Sequence, residues 1–156
     1  MVLRDLSKTG KHPDKWFNMV AGFKTGPIFY KVGTGSFLHC FFSNIAFHLE
    51  NQQWGASYPL LMNKLYHTNL ALKDIDSAVN ELLNIQEKFK DIEPSEVIWN
   101  IEDLDKKPPW GNDIADHITS LATYFYTNDG DDLFGVLLKA LDAARRINKN
   151  LSIVSL

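Results

Sequence analysis

The chain has 156 residues, 45% of them hydrophobic and 12% aromatic, enough for one domain with a substantial core. That excludes a disordered chain, and no run approaches the ~20 apolar residues of a membrane span. The net charge is only −3, but residues 91–132 hold eleven acids and two lysines, while the remainder carries eight acids and fourteen bases. Such asymmetry bears on partners and encounter rates rather than on fold, and an acidic half argues against a nucleic-acid partner. Cys40 is the single cysteine, so no internal disulfide forms and a reduced compartment, the cytoplasm, is expected. The first fifteen residues are basic without an apolar core and do not read as a secretory signal.

In chain order, residues 1–16 read as a basic polar arm and 17–156 as the domain. Residues 17–23 and 28–32 read as strands joined through Lys24-Thr25-Gly26-Pro27, a hairpin. Gly33-Thr34-Gly35-Ser36 stops the second strand, and Ser36 is a helix-cap residue. Phe37, Leu38, Phe41, Phe42, Ile45 and Leu49 then recur at helical spacing, predicting a largely buried helix over 36–50. After a loop holding Trp54-Gly55, Pro59 opens a helical stretch to residue 66. Residues 73–90 form an amphipathic helix whose inner face holds Ile75, Val79, Leu82 and Phe89.

Beyond Pro94, residues 97–101 read as a strand, 102–112 as a loop stiffened by Pro108-Pro109, and 113–121 as a short helix. Residues 123–127 are β-branched and aromatic and read as a further strand. Residues 131–147 form another amphipathic helix, acidic at its start and carrying Arg145 and Arg146 at its end. Residues 151–154 close the chain as a strand. The whole reads as a single α+β domain: an N-terminal hairpin and further strands in a sheet packed by four to five helices.

The chemistry-bearing residues assemble no complete site. Cys40 and His39 point about 100° apart on a helix, and a thiol on an apolar helix is an inert small hydrophobe. The five histidines form no HExxH, and there is no CxxC, so no metal or cofactor is expected. Asp113, Asp116 and His117 would share a helix, which leaves open a small hydrolase or transferase. Capping by Asp113 accounts for the pattern with less machinery. Residues 128–132 resemble a calcium loop, yet aligning Gly130 to its glycine puts Phe125 and Val136 at the outer ligand positions. Gly33-Thr34-Gly35-Ser36 lacks the lysine of a phosphate loop.

What remains is a surface. Glu102, Asp103, Asp105, Asp113 and Asp116 flank Pro108-Pro109-Trp110-Gly111. A tryptophan on a rigid loop among carboxylates is suited to anchor a protein partner; packing against the core edge would equally explain it.

The order of motifs adds to this reading. After the hairpin come Gly35-Ser36-Phe37, Trp54-Gly55 with Tyr58-Pro59, and Val97-Ile98-Trp99-Asn100-Ile101-Glu102-Asp103-Leu104. Then follow Pro108-Pro109-Trp110-Gly111, Ile118-Thr119, Tyr124-Phe125 and Asp129-Gly130-Asp131-Asp132-Leu133-Phe134. Across residues 20–155 this resembles the bacterial immunity protein 70 family of polymorphic toxin systems. The resemblance implies a cytoplasmic, non-enzymatic antitoxin that binds a cognate secreted toxin domain, with no cofactor. Many such toxin domains are nucleases with cationic grooves that an acidic face could occupy. The toxin class stays open, and an oligomeric scaffold is a third reading.

Overall fold

Residues 14–111 and 113–156 are described by the computed structural model, and the hairpin sets its frame. A four-residue helix, α1 (Asp14–Phe17), leads into β1 (Val20–Thr25) and β2 (Ile28–Thr34). Thr25 pairs with Ile28, so the connection is two residues long, and Gly26 turns it with φ +53°. A bulge between Ala21 and Gly22 breaks the register. A Cβ at Gly22 would lie 2.1 Å from the Tyr30 carbonyl oxygen, so the bulge requires glycine. The expected strand from residue 17 therefore begins at Val20. The residues before it turn as a helix, and Trp16 is buried in the core.

The helix α2 (Gly35–Leu49) follows β2 directly. Its cap is Thr34 rather than Ser36, the Thr34 hydroxyl oxygen accepting the Phe37 N–H at 3.2 Å. Leu38, Phe41, Phe42 and Ile45 are buried as expected, whereas Phe37 and Leu49 are only partly so. Residues 60–65 form a π-helical turn, a variant of the expected helix. Glu81 accepts the N–H groups of Leu60 and Leu61, and the Trp54 indole donates to the Met62 carbonyl, so side chains hold the wide turn open. The helices α3 (Ile75–Phe89) and α4 (Leu133–Ile147) lie within the spans expected for them. Asp132 caps α4 by accepting the Gly135 N–H, and Asn148 ends it in a left-handed conformation.

The closing strand β3 (Ser152–Ser155) pairs with β1, giving an antiparallel sheet of order β2-β1-β3. Helices α2 and α4 pack on it, and α3 packs on them. The core between is aromatic: Phe41 meets Phe125 at 5.2 Å and Phe134 at 5.3 Å between ring centroids. The fold is thus a single α+β domain.

Two expected strands and one expected helix are absent, each for a nameable reason. Residues 97–101 are extended in composition, yet their backbone partners are side chains of α2. The Ile98 N–H donates to Asn44 Oδ1 and the Ile98 carbonyl accepts from Asn44 Nδ2, both at 2.9 Å; the Ile101 N–H reaches Ser43 Oγ. Residues 123–127 make one isolated bridge, Tyr126 to Asp132, and spend their aromatic content on burying Phe125. Residues 113–120 are not helical; the Thr119 N–H bonds the Thr123 hydroxyl, and Ser120 caps only a single 3-10 turn, Leu121–Thr123, by accepting the Ala122 N–H. Beyond these, Glu50, buried at the end of α2, accepts the N–H groups of Gly55, Ser57 and Tyr58 and so pins the loop after it.

Candidate functional site

The segment bolted to α2 by Asn44 and Ser43 continues into the acidic loop. Asn100 turns it, its side-chain oxygen accepting the Glu102 N–H, and residues 103–106 turn again. Pro108 is buried and Pro109 exposed, which sets Trp110 at the surface. Trp110 is 39% exposed. Its indole N–H donates to the Tyr124 hydroxyl at 2.6 Å, and its ring meets Trp99 edge-on at 5.6 Å and Phe37 at 6.5 Å. The side chain is therefore held on three sides with one part left to solvent, between the two roles that composition alone allowed it.

Beside it lies a groove of about 610 Å³, walled by Phe37, Trp99, Trp110, Ile114, Ile118 and Tyr124 and edged by Asp113. A second hollow of about 420 Å³ shares Trp99 and Pro109 with it and reaches His39 and Lys106. Of the six residues expected at a partner surface, the structure brings Trp110 and Asp113 to one groove. Asp103, Asp105 and Asp116 are exposed nearby in sequence but line neither hollow.

Glu102 has a different setting. Its carboxylate lies 2.6 Å from Nε2 of His39, a buried ring whose Nδ1 is 2.5 Å from the Tyr66 hydroxyl. An ionised carboxylate only accepts, so Nε2 carries a proton, and in the neutral ring the Tyr66 hydroxyl donates to Nδ1. Burial, reinforced by the nearby Glu102 charge, holds the Tyr66 hydroxyl well above its ordinary pKa, so it stays a donor. Glu102 thus ties the acidic loop to the core through a chain of polar groups. Neither that chain nor the groove was foreseen from sequence. The polar residues His39, Ser43 and Asn44 on an otherwise apolar helix were the available signal. Leu104, 45% exposed between Asp103 and Asp105, was also overlooked.

The remaining chemistry is structural. Cys40 is fully buried, its thiol contacts the Ile98 carbonyl, and burial pushes its pKa far above the usual thiol range, so no thiolate nucleophile forms. Asp113, Asp116 and His117 do not share a helix face, because no helix forms there. His117 is exposed and meets the ring of Tyr126 edge-on. Among the described residues no group of three or more His, Cys, Asp or Glu could hold a metal ion. No described helix is long and apolar enough to cross a membrane. Trp54 is a packing residue, stacked on His39 and bonded to Met62.

The fold and this surface can be set beside known proteins. The model of the family described as immunity protein 70 matches residues 23–153. The chain belongs to the immunity protein 70 family. Comparison with curated proteins and with solved structures gives no match. The matched span runs from within β1 through all three long helices and the whole acidic segment with Trp110. In this member of the immunity protein 70 family the groove beside Trp110 has apolar and aromatic walls and a single carboxylate, Asp113, at its edge.

Proposed function

We propose that this protein is an antitoxin that binds and neutralises a cognate toxin domain in the producing cell's cytoplasm, using the acidic segment around Trp110. The observation that carries the reading is the half-open seat of Trp110. Its ring is clamped by Trp99, Phe37 and Tyr124 while 39% of the residue remains exposed, and exposed carboxylates at 103, 105, 113 and 116 lie along the same stretch of chain. A clamped aromatic loses little entropy on binding and serves as an anchor. The carboxylates supply long-range attraction to a cationic partner, such as the substrate groove of a nuclease, and block it by occupation. Leu104, exposed on the same loop, adds a second apolar contact. Glu102 positions the loop rather than leading the contact, because its carboxylate is engaged by His39.

The test uses the toxin domain encoded beside this gene, immobilised for binding kinetics. Trp110→Ala should raise the off-rate by about thirtyfold or more, the worth of a hot-spot side chain. Asp105→Asn should instead lower the on-rate, most at low ionic strength. Circular dichroism controls for folding. Unchanged rates in both variants would place the interface elsewhere, and a Trp110→Ala protein that melts while its folded fraction binds normally would make Trp110 a packing residue.

A further inference from the structure

We propose that the groove beside Trp110 is a receptor for an arginine side chain of the partner, whose guanidinium lies against the aromatic wall and pairs with Asp113. This rests on the reading of the Trp110 face as the toxin interface, and it names what the toxin must present there.

The argument begins with the charge of the groove. Among the described residues lining it there is one carboxylate, Asp113, and no lysine, arginine or histidine. Asp113 is exposed, on a stretch without regular structure. The turn that supplies Asn128 to the lining continues into Asp129, which pairs with Lys31 at 3.9 Å, and the exposed Asp131, so it brings no net positive charge toward the groove. The N-terminus of α2 opens on the same groove and by itself would favour an anion. Its donors are partly spent, however: the Gly35 N–H bonds the Met19 carbonyl and the Phe37 N–H bonds Thr34 Oγ1. An anion would also have to sit beside Asp113. The groove therefore selects a cation.

The walls narrow the choice further. Trp110 and Trp99 meet edge-on at 88°, so the two rings contribute differently oriented surfaces to one concave space. Tyr126 and Tyr124 add two more rings. Aromatic faces attract cations, and the flat, weakly hydrated guanidinium stacks on them better than a compact ammonium does. A guanidinium also brings five donors that need acceptors. Asp113 offers two oxygens in the geometry a guanidinium matches, and the Thr34, Ser36 and Asn128 side chains supply further oxygens around the lining. A neutral aliphatic side chain would satisfy the walls and bring no donor to the Asp113 carboxylate. At about 610 Å³ the groove has room for a whole side chain.

The experiment probes the groove without the toxin. Three blocked tripeptides with central arginine, citrulline or leucine are titrated at millimolar concentration into protein labelled with 15N, and the four tryptophan indole signals are followed. Citrulline keeps the shape of arginine and removes its charge. The arginine peptide should shift the Trp99 and Trp110 signals saturably and bind at least about threefold more tightly than citrulline, the scale of an exposed cation–aromatic contact. Trp16 and Trp54 should not move, which also reports that the fold is intact. Asp113→Asn should reduce the preference for arginine over citrulline, leaving only what the aromatic wall contributes. Equal binding of arginine and citrulline, shifts confined to Trp16 or Trp54, no saturable shift, or an undiminished preference in Asp113→Asn would each overturn the proposal. If the peptides fail while Trp110→Ala still weakens toxin binding, the interface stands and the arginine is wrong. If the arginine peptide binds but toxin kinetics ignore Trp110, the groove is not the toxin's and the proposal falls with the reading it rests on.

Discussion

Phe41 is fully buried with the rings of Phe42, Phe89, Phe125 and Phe134 around it, three of them at near-right angles within 6.4 Å. Phe41→Ala should cost about 3–5 kcal/mol in urea denaturation, since four packed rings cannot collapse into the space it leaves. That residue was legible because helical period alone identifies an inner face. Asn44 was not, because its partner is Ile98, fifty-four positions along the chain, and no local pattern announces such a pair. Asn44→Ala leaves the Ile98 N–H without its acceptor and the Ile98 carbonyl with only the weak Cys40 thiol donor. A loss of about 1–3 kcal/mol is expected, the cost of one stranded backbone group. Faster hydrogen exchange at the Ile98 amide would locate it. A neutral Asn44→Ala would mean that water replaces the amide without penalty. In the candidate site, Trp110 and Asp113 were legible from their proximity in sequence. Phe37, Trp99 and Tyr124 were not, since they reach the groove from three separate segments.

At the scale of elements, α2, α3 and α4 were readable because each is long enough for a 3.6-residue period to repeat several times. The stretches 97–101 and 123–127 misled because β-branched and aromatic residues fit any half-buried surface, whether or not a neighbouring strand exists to pair with it. The cap of α4 makes a direct prediction. Asp132 Oδ2 accepts the Gly135 N–H at 3.2 Å, and burial raises the Asp132 pKa while that bond and one from Phe134 lower it. Asp132→Ala should cost about 1 kcal/mol of stability, the usual value of an N-cap. Asp132→Asn, which keeps an oxygen at the cap, should retain most of it. Equal losses in the two variants, read by thermal unfolding, would show that the carboxylate acts through charge and not through the hydrogen bond.

For the molecule as a whole, acid stability should carry a signature of His48. Its Nε2 lies 2.9 Å from the Glu96 carbonyl oxygen, so the neutral ring donates there. Burial lowers its pKa below 6.5, with the Glu96 contacts opposing. The folded state thus favours the neutral form. This contribution is complete above pH 6.5 and is lost as the pH falls from there through the folded value, because the unfolded chain binds the proton more readily. Glu81 works in the opposite sense: burial raises its pKa above 4.5, so the fold loses stability as the pH rises through that higher range. Urea midpoints of the parent and of His48→Gln, each taken well above and well below pH 6.5, separate the two. The parent should lose more on acidification than the variant, and a parallel loss in both would remove His48 from the account.

The way residues 97–101 are held has a consequence for how such a protein can change. In a sheet, inserting one residue exchanges the two faces of everything beyond it. Here the segment that leads to the acidic loop belongs to no ladder; Asn44 and Ser43 grip it at Ile98 and Ile101, and past those two points the chain owes no register to a neighbouring strand. Between Glu102, which His39 holds, and the buried Pro108, the loop can lengthen, shorten or exchange its side chains while the hairpin, the three helices and the closing strand keep their packing. A chain built this way can therefore revise what that loop displays without refolding what carries it.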